Sequence, residues 1–180
     1  MIINLIGVLA MTLCVGAAER QSSPLSVCEL IAHRNEYIGR MVSVRGTVKS
    51  GGHGDWLEAS SDCQYKLITR GVVWRNIIVL AYPNNRSPIQ TDHANFDVDW
   101  QAVQDASRDT SRNPFNPHID HVIMTYIGLF QTHQDLDQRV TPNVPGALKL
   151  GFGPGGEAPA QLLIKSLKDV VIVRGGPETK

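Results

Sequence analysis

The densest set of side chains able to hold a metal is His118-Ile119-Asp120-His121. Imidazoles and a carboxylate suit zinc, but a zinc site needs several ligands converging from fixed positions. In an extended chain His118 and Asp120 share a face while His121 points away. His53, His93 or His133 would have to complete the set, and no spacing in the chain brings them together. His118, Asp120 and His121 are therefore weak metal candidates, explained more simply as a polar strand start. Asp135-Leu136-Asp137 beside Arg139 lacks the regular spacing and glycine of a calcium loop and reads as a solvated loop. Asp97-Val98-Asp99 stands at an expected helix start, where carboxylates meet the positive end of the dipole. No cofactor is expected.

Gly151-Phe152-Gly153-Pro154-Gly155-Gly156 contains the letters of a dinucleotide-binding loop. That chemistry needs the string between a strand and a helix, so that helix N–H groups meet a pyrophosphate. Here Ala158-Pro159-Ala160 and a β-like run follow, so the string predicts a tight loop that packs Phe152 against the sheet. Gly-x-Ser-x-Gly, HExxH, Walker A and paired CxxC motifs are all missing from the chain.

A looser group carries aromatic and basic chemistry together: Lys49, His53, Trp56, Tyr65, Arg70, Trp74 and Arg75. Aromatic rings there would stack on sugars or bases. His53, Trp56, Arg70, Trp74 and Arg75 are the candidate ligand-binding residues. The competing reading makes Trp56 and Trp74 core plugs, since Trp is largely buried on average.

The chain has 180 residues, which is one domain's worth. Lys and Arg number 17 and Asp and Glu 17. With no basic excess to neutralise phosphates, nucleic acid is an improbable partner. Sixteen Gly and ten Pro imply many turns and favour a β-rich fold.

Ile2 to Ala18 carries no charged side chain and ends in Gly16-Ala17-Ala18. Small residues closing a short apolar run suit signal-peptidase cleavage, expected after Ala18 or else Ala17. Neither Lys nor Arg precedes the run, so an uncleaved membrane anchor stays as the alternative. Leu13 before Cys14 is bulkier than a lipid-attachment signal wants. The expected organisation is a signal peptide at 1–18, a linker at 19–25, a domain at 26–174 and a flexible tail at 175–180, with a secreted or periplasmic address. Cleavage would leave two cysteines, Cys28 and Cys63, which an oxidising compartment would pair.

Ser26-Val27-Cys28-Glu29 has the form of a capping box, so a short helix should follow with Val27, Leu30 and Ile31 on one face. Strands are expected at 41–49, 56–59, 74–81, 118–131 and 161–173. In the first, Val42, Val44 and Val48 alternate with polar residues, and Gly46 suggests a bulge or a sharp coil of the strand. Ile77-Ile78-Val79-Leu80 suggests burial on both faces. Phe96, Trp100 and Val103 predict a helix over 96–108. Leu163, Leu167, Val171 and Val173 are spaced for one face of the last strand. Residues 132–160 form either a functional loop or a loop with a small hairpin.

This order of elements resembles an OB-fold, and Tyr37-x-Gly39-x-x-Val42-x-Val44-x-Gly46-x-Val48 looks like the opening of the OB-fold-like domains of small exported bacterial proteins. Gly151-Phe152-Gly153 with Pro159-Ala160-Gln161-Leu162 is similar to a signature of such proteins, and it transfers no function. The resemblance implies a mainly β, five-stranded, partly open barrel with a helix between strands three and four and a short N-terminal helix. It also implies a ligand surface on strands two and three, flanked by the first hairpin loop and the loop between strands four and five. A split β-sandwich or a lipocalin-like partial barrel is the alternative architecture. The expected function is an exported binding or interaction module without catalysis, its partner a protein, a peptide or an envelope glycan. A metal-assisted hydrolase or nuclease on the same barrel is the alternative.

Overall fold

The computed structural model describes residues 23–51, 54–82, 99–101, 104–105, 119–142 and 148–174. The expected signal peptide and tail, and with them His53, His93 and His118, lie outside the described residues. The chain is mainly β. Its elements are β1 (Leu25–Ser26), α1 (Val27–Ala32), α2 (Arg34–Tyr37), β2 (Met41–Gly51), β3 (Gly54–Glu58), β4 (Ile68–Thr69), β5 (Val72–Val73), β6 (Ile77–Ala81), β7 (Ile119–Thr132), β8 (Val140–Thr141), β9 (Leu148–Lys149) and β10 (Ala160–Arg174). Of the expected 96–108 helix, Trp100, Gln101, Gln104 and Asp105 are helical and Asp99 is not; its other residues lie outside the described residues.

Five strands form a ring in the order β2-β3-β6-β10-β7, and β7 returns to pair with β2. β2 pairs antiparallel with both neighbours, using Met41 to Val48 for β7 and Thr47 to Gly51 for β3. β6 and β10 run parallel. β1 adds to β2 in parallel at Val44 and Arg45. Two hairpins, β4–β5 and β8–β9, stand apart from this sheet.

The register puts one apolar set on the inside. Val42 and Val44 of β2, Leu57 of β3, Ile78 and Leu80 of β6, Leu162 and Ile164 of β10, and Tyr126 and Phe130 of β7 join a single buried cluster. α1 contributes Val27, Leu30 and Ile31 to it. The Ser26 hydroxyl accepts from the Glu29 amide at 3.0 Å, which satisfies one of the donors left open at a helix start.

The bulge reading of Gly46 and the expected face of β10 need correction. Pairing with β7 continues through Gly46 without a register break, so no bulge forms there. The glycine instead admits α1: a Cβ at this position would stand 2.7 Å from Val27 Cγ2. In β10 the expected one-face series Leu163, Leu167, Val171, Val173 is not the core series. A register shift between Ile164 and Ser166 inserts Lys165. Ile164 and Leu167 both join the core cluster despite their odd spacing, and Val171 is exposed. The Lys165 carbonyl, displaced by the bulge, accepts from the Asp99 amide at 2.7 Å.

Cys28 of α1 and Cys63, in the loop after β3, form a disulfide with Cα atoms 5.7 Å apart. A cystine is compatible with an oxidising, extracellular location. Among the described residues no helix is long and apolar enough to cross a membrane.

Candidate functional site

β3 leaves Trp56 on the outer face of the ring, paired across the strands with Lys49 of β2 and Val79 of β6. The next outer position of β6 is Ile77, opposite Glu58. An apolar outer face needs a cover, and the chain supplies one from far along the sequence. The segment 151–158 lies against β6 and encloses with it a groove of about 300 Å³. Trp56, Ile77, Val79, Phe152 and Pro154 supply apolar walls, with Arg75 and Glu157 among the lining residues.

This segment is a closed loop held by its own backbone. Gly151 N–H donates to Gly156 C=O and Gly156 N–H to Gly153 C=O, both at 2.9 Å. Phe152 and Ala158 exchange a pair of bonds at 2.9 and 3.3 Å. Gly151 is required by close approach, because a Cβ there would run into the Ala158 carbonyl oxygen and the Trp74 ring. Arg75 bridges the loop and the sheet side. Its guanidinium lies 5.9 Å from the Trp56 ring centroid and donates through Nη1 to Glu157 Oε2 at 3.3 Å. Both partners of that ion pair are about half exposed, so it adds little stability and can exchange. The Trp56 indole N–H is shielded from solvent and meets no acceptor among the described residues.

Phe152 reaches beyond the groove and stacks on His133, with centroids 4.5 Å apart and planes 7° from parallel. Burial, and then the nearby Arg139 cation, hold the His133 imidazole below its ordinary pKa; Asp135 acts in the opposite sense. Arg139 Nε donates to Asp135 Oδ1 at 2.9 Å, and this hydrogen bond is the main cause of the lowered carboxyl pKa of Asp135. Arg139 also donates through Nη1 to the Leu150 carbonyl, while Leu150 N–H donates to the Arg139 carbonyl.

The structure separates the candidate residues. Trp56 and Arg75 meet in the groove. Trp74 is 2% exposed and donates through Nε1 to Thr69 Oγ1 at 2.7 Å, so it is a core residue. Arg70, in the tight β4–β5 turn, is directed to the Val140 carbonyl at 3.2 Å. His53 lies outside the described residues. His118 does too, while Asp120 and His121 sit at the start of β7. No group of three or more His, Cys, Asp or Glu side chains that could hold a metal occurs among the described residues.

Sequence reasoning missed that Phe152, Ile77, Val79 and Glu157 belong to the same site. One signal pointed there: the run Ile77 to Leu80 implied cover on both faces, and the outer cover is the 151–158 loop.

Just after β6, Tyr82 comes within hydrogen-bonding reach of Tyr126 of β7. Burial, followed by the Asp55 charge, raises the pKa of Tyr82. Burial is also the main cause of the raised pKa of Tyr126, whose hydroxyl lies 3.4 Å from Met124 Sδ. Trp100 stacks on Tyr82 with centroids 6.4 Å apart.

The chain matches no family model, no curated protein and no solved structure.

Proposed function

We propose that the chain is a small exported binding module without catalytic activity, built on an OB-type barrel, with its ligand seated in the groove between Trp56 and the 151–158 loop. The observation that carries the reading is where this groove lies. If β2, β3, β6, β7 and β10 are numbered one to five, it falls on strands two and three beside the loop between four and five, the surface that OB-type folds use. Support for the barrel assignment comes from the strand order 1-2-3-5-4, the return pairing of four with one, and the parallel pairing of three with five. Support for export comes from the apolar leader pattern and the Cys28–Cys63 bridge.

The groove volume stands at the lower end of ligand sites, and its walls combine apolar side chains with one cation, Arg75, and two carboxylates, Asp55 and Glu157. Such a lining suits one apolar or ring-bearing group of a peptide or an envelope glycan. The Arg75–Glu157 pair is weak enough to give way to polar groups of the ligand. Titration of the oxidised protein with peptide and glycan panels, followed by tryptophan fluorescence, tests the reading. A saturable response that disappears in Trp56→Phe and weakens in Arg75→Gln is expected. A response that survives both substitutions would remove the groove from the account.

A further inference from the structure

The geometry points to His133 as a proton-operated latch on the loop wall of the groove: neutral, it helps to hold the 151–158 loop closed through Phe152, and protonated, it releases it. The inference concerns regulation of the groove whose ligand-binding role is proposed above, but the latch is a property of the loop and is measured without any ligand.

Among the described residues, Phe152 is the side chain that lines the groove and also stacks on a titratable ring. It sits inside the loop's paired backbone, between Gly151 and Gly153, and shares a two-way bridge with Ala158. Displacing the ring therefore strains the bonds that close the loop. The charged groups facing His133 are Arg139 and Asp135, both from the turn that follows it. Asp135 is already engaged by Arg139 Nε at 2.9 Å, so a new positive charge on His133 finds its carboxylate partner shared and a guanidinium nearby. Arg139 is itself tied to Leu150 in both directions, next to the start of the loop, and cannot move away without disturbing it. The Phe152 face offers a cation some return. Against that return stands the loss of water: Phe152 covers one face of the ring, burial is the largest influence lowering its pKa, and the protonated ring is better solvated outside the stack.

The sign follows from linkage. Protons bind more tightly when the loop is open than when it is closed, because opening uncovers the ring while Arg139 and Asp135 stay beside it, so opening grows as pH falls from the pKa of the open form through the lower value of the closed form. The full increase in opening is about tenfold for each unit between the two pKa values. Outside the cytosol, acidification would then open the groove while the disulfide-tied ring stays folded.

The test uses the labelled, oxidised full-length protein. Histidine ring resonances give the His133 pKa. Exchange protection of the Gly151, Phe152, Gly156 and Ala158 amides, corrected for intrinsic rates, gives loop opening at each pH. The expected result is a loss of protection whose midpoint coincides with the His133 titration. In His133→Phe, which keeps a flat ring and cannot titrate, protection should stay level over the same range. Protection that stays level through the His133 titration in the natural protein would overturn the latch, as would an equal loss in His133→Phe. Should that variant misfold, the coincidence of the two midpoints in the natural protein decides alone. A groove that binds nothing would sink the binding role and leave this result standing.

Discussion

Replacing both Cys28 and Cys63 by Ser removes the one covalent bond between α1 and the loop after β3. The bridge closes a loop of 35 residues. In the chain-entropy treatment, releasing a loop of that length frees the unfolded chain by about 4 kcal/mol at 25 °C. A domain of this size loses about 2 to 4 °C of Tm per kcal/mol, so the melting temperature should fall by about 8 to 16 °C. The native fold should persist, because Val27, Leu30 and Ile31 of α1 remain buried without the bond. Urea denaturation of the oxidised natural protein and the double variant, followed by circular dichroism, measures the difference. The denaturant slope should rise in the variant, since an uncrosslinked unfolded chain exposes more surface. A loss below about 1 kcal/mol with an unchanged slope would refute the reasoning, because the bond would then do little to the unfolded state.

Trp74→Ala should cost about 3 to 5 kcal/mol, the range for emptying a large buried aromatic site, whereas Trp56→Ala should cost far less; paired urea titrations compare the two. Gly151→Ala should destabilise by about 1 to 3 kcal/mol through overpacking against Ala158 and Trp74, and its amide-exchange losses should concentrate in 151–158. Tyr82 and Tyr126 hold their protons more tightly in the fold than in the unfolded chain. Their stabilising contribution is therefore intact below about pH 10, the unfolded tyrosine value, and is lost as pH rises beyond it. Tyr126→Phe should reduce that alkaline loss and remove the latest component of the tyrosinate absorbance rise.

The strands were legible because their apolar periods are long. Met41 to Lys49 alternates cleanly, and the structure makes Met41–Gly51 a strand with Val42 and Val44 inward. The helix start at Val27 was legible through Ser26, whose hydroxyl caps it. Periodicity failed where the backbone takes an extra residue. The Lys165 insertion in β10 moves Leu167 into the core set with Ile164, and a sequence pattern carries no mark for it. Gly46 was readable as special but not as to reason: whether a strand glycine makes a bulge or admits a neighbour depends on what packs above it, here Val27. Within the site, Trp56 and Arg75 were singled out together from residue type and proximity in sequence. Trp74 shared both properties, yet a hydrogen bond to Thr69 and full burial separate it from them. Phe152 was expected to pack on the sheet. Its meeting with Trp56 depends on the tertiary path of a loop almost a hundred positions away, which local spacing cannot encode.

The groove's role is tested most directly by following the backbone and indole amides of the labelled protein while a saturating peptide or glycan from the panels is added. The account predicts shifts concentrated at the Trp56 indole, Arg75 and Gly153 to Glu157, with little change at the Trp74 indole. Shifts confined to the opposite side of the ring, around Arg45 and Thr125, would contradict it.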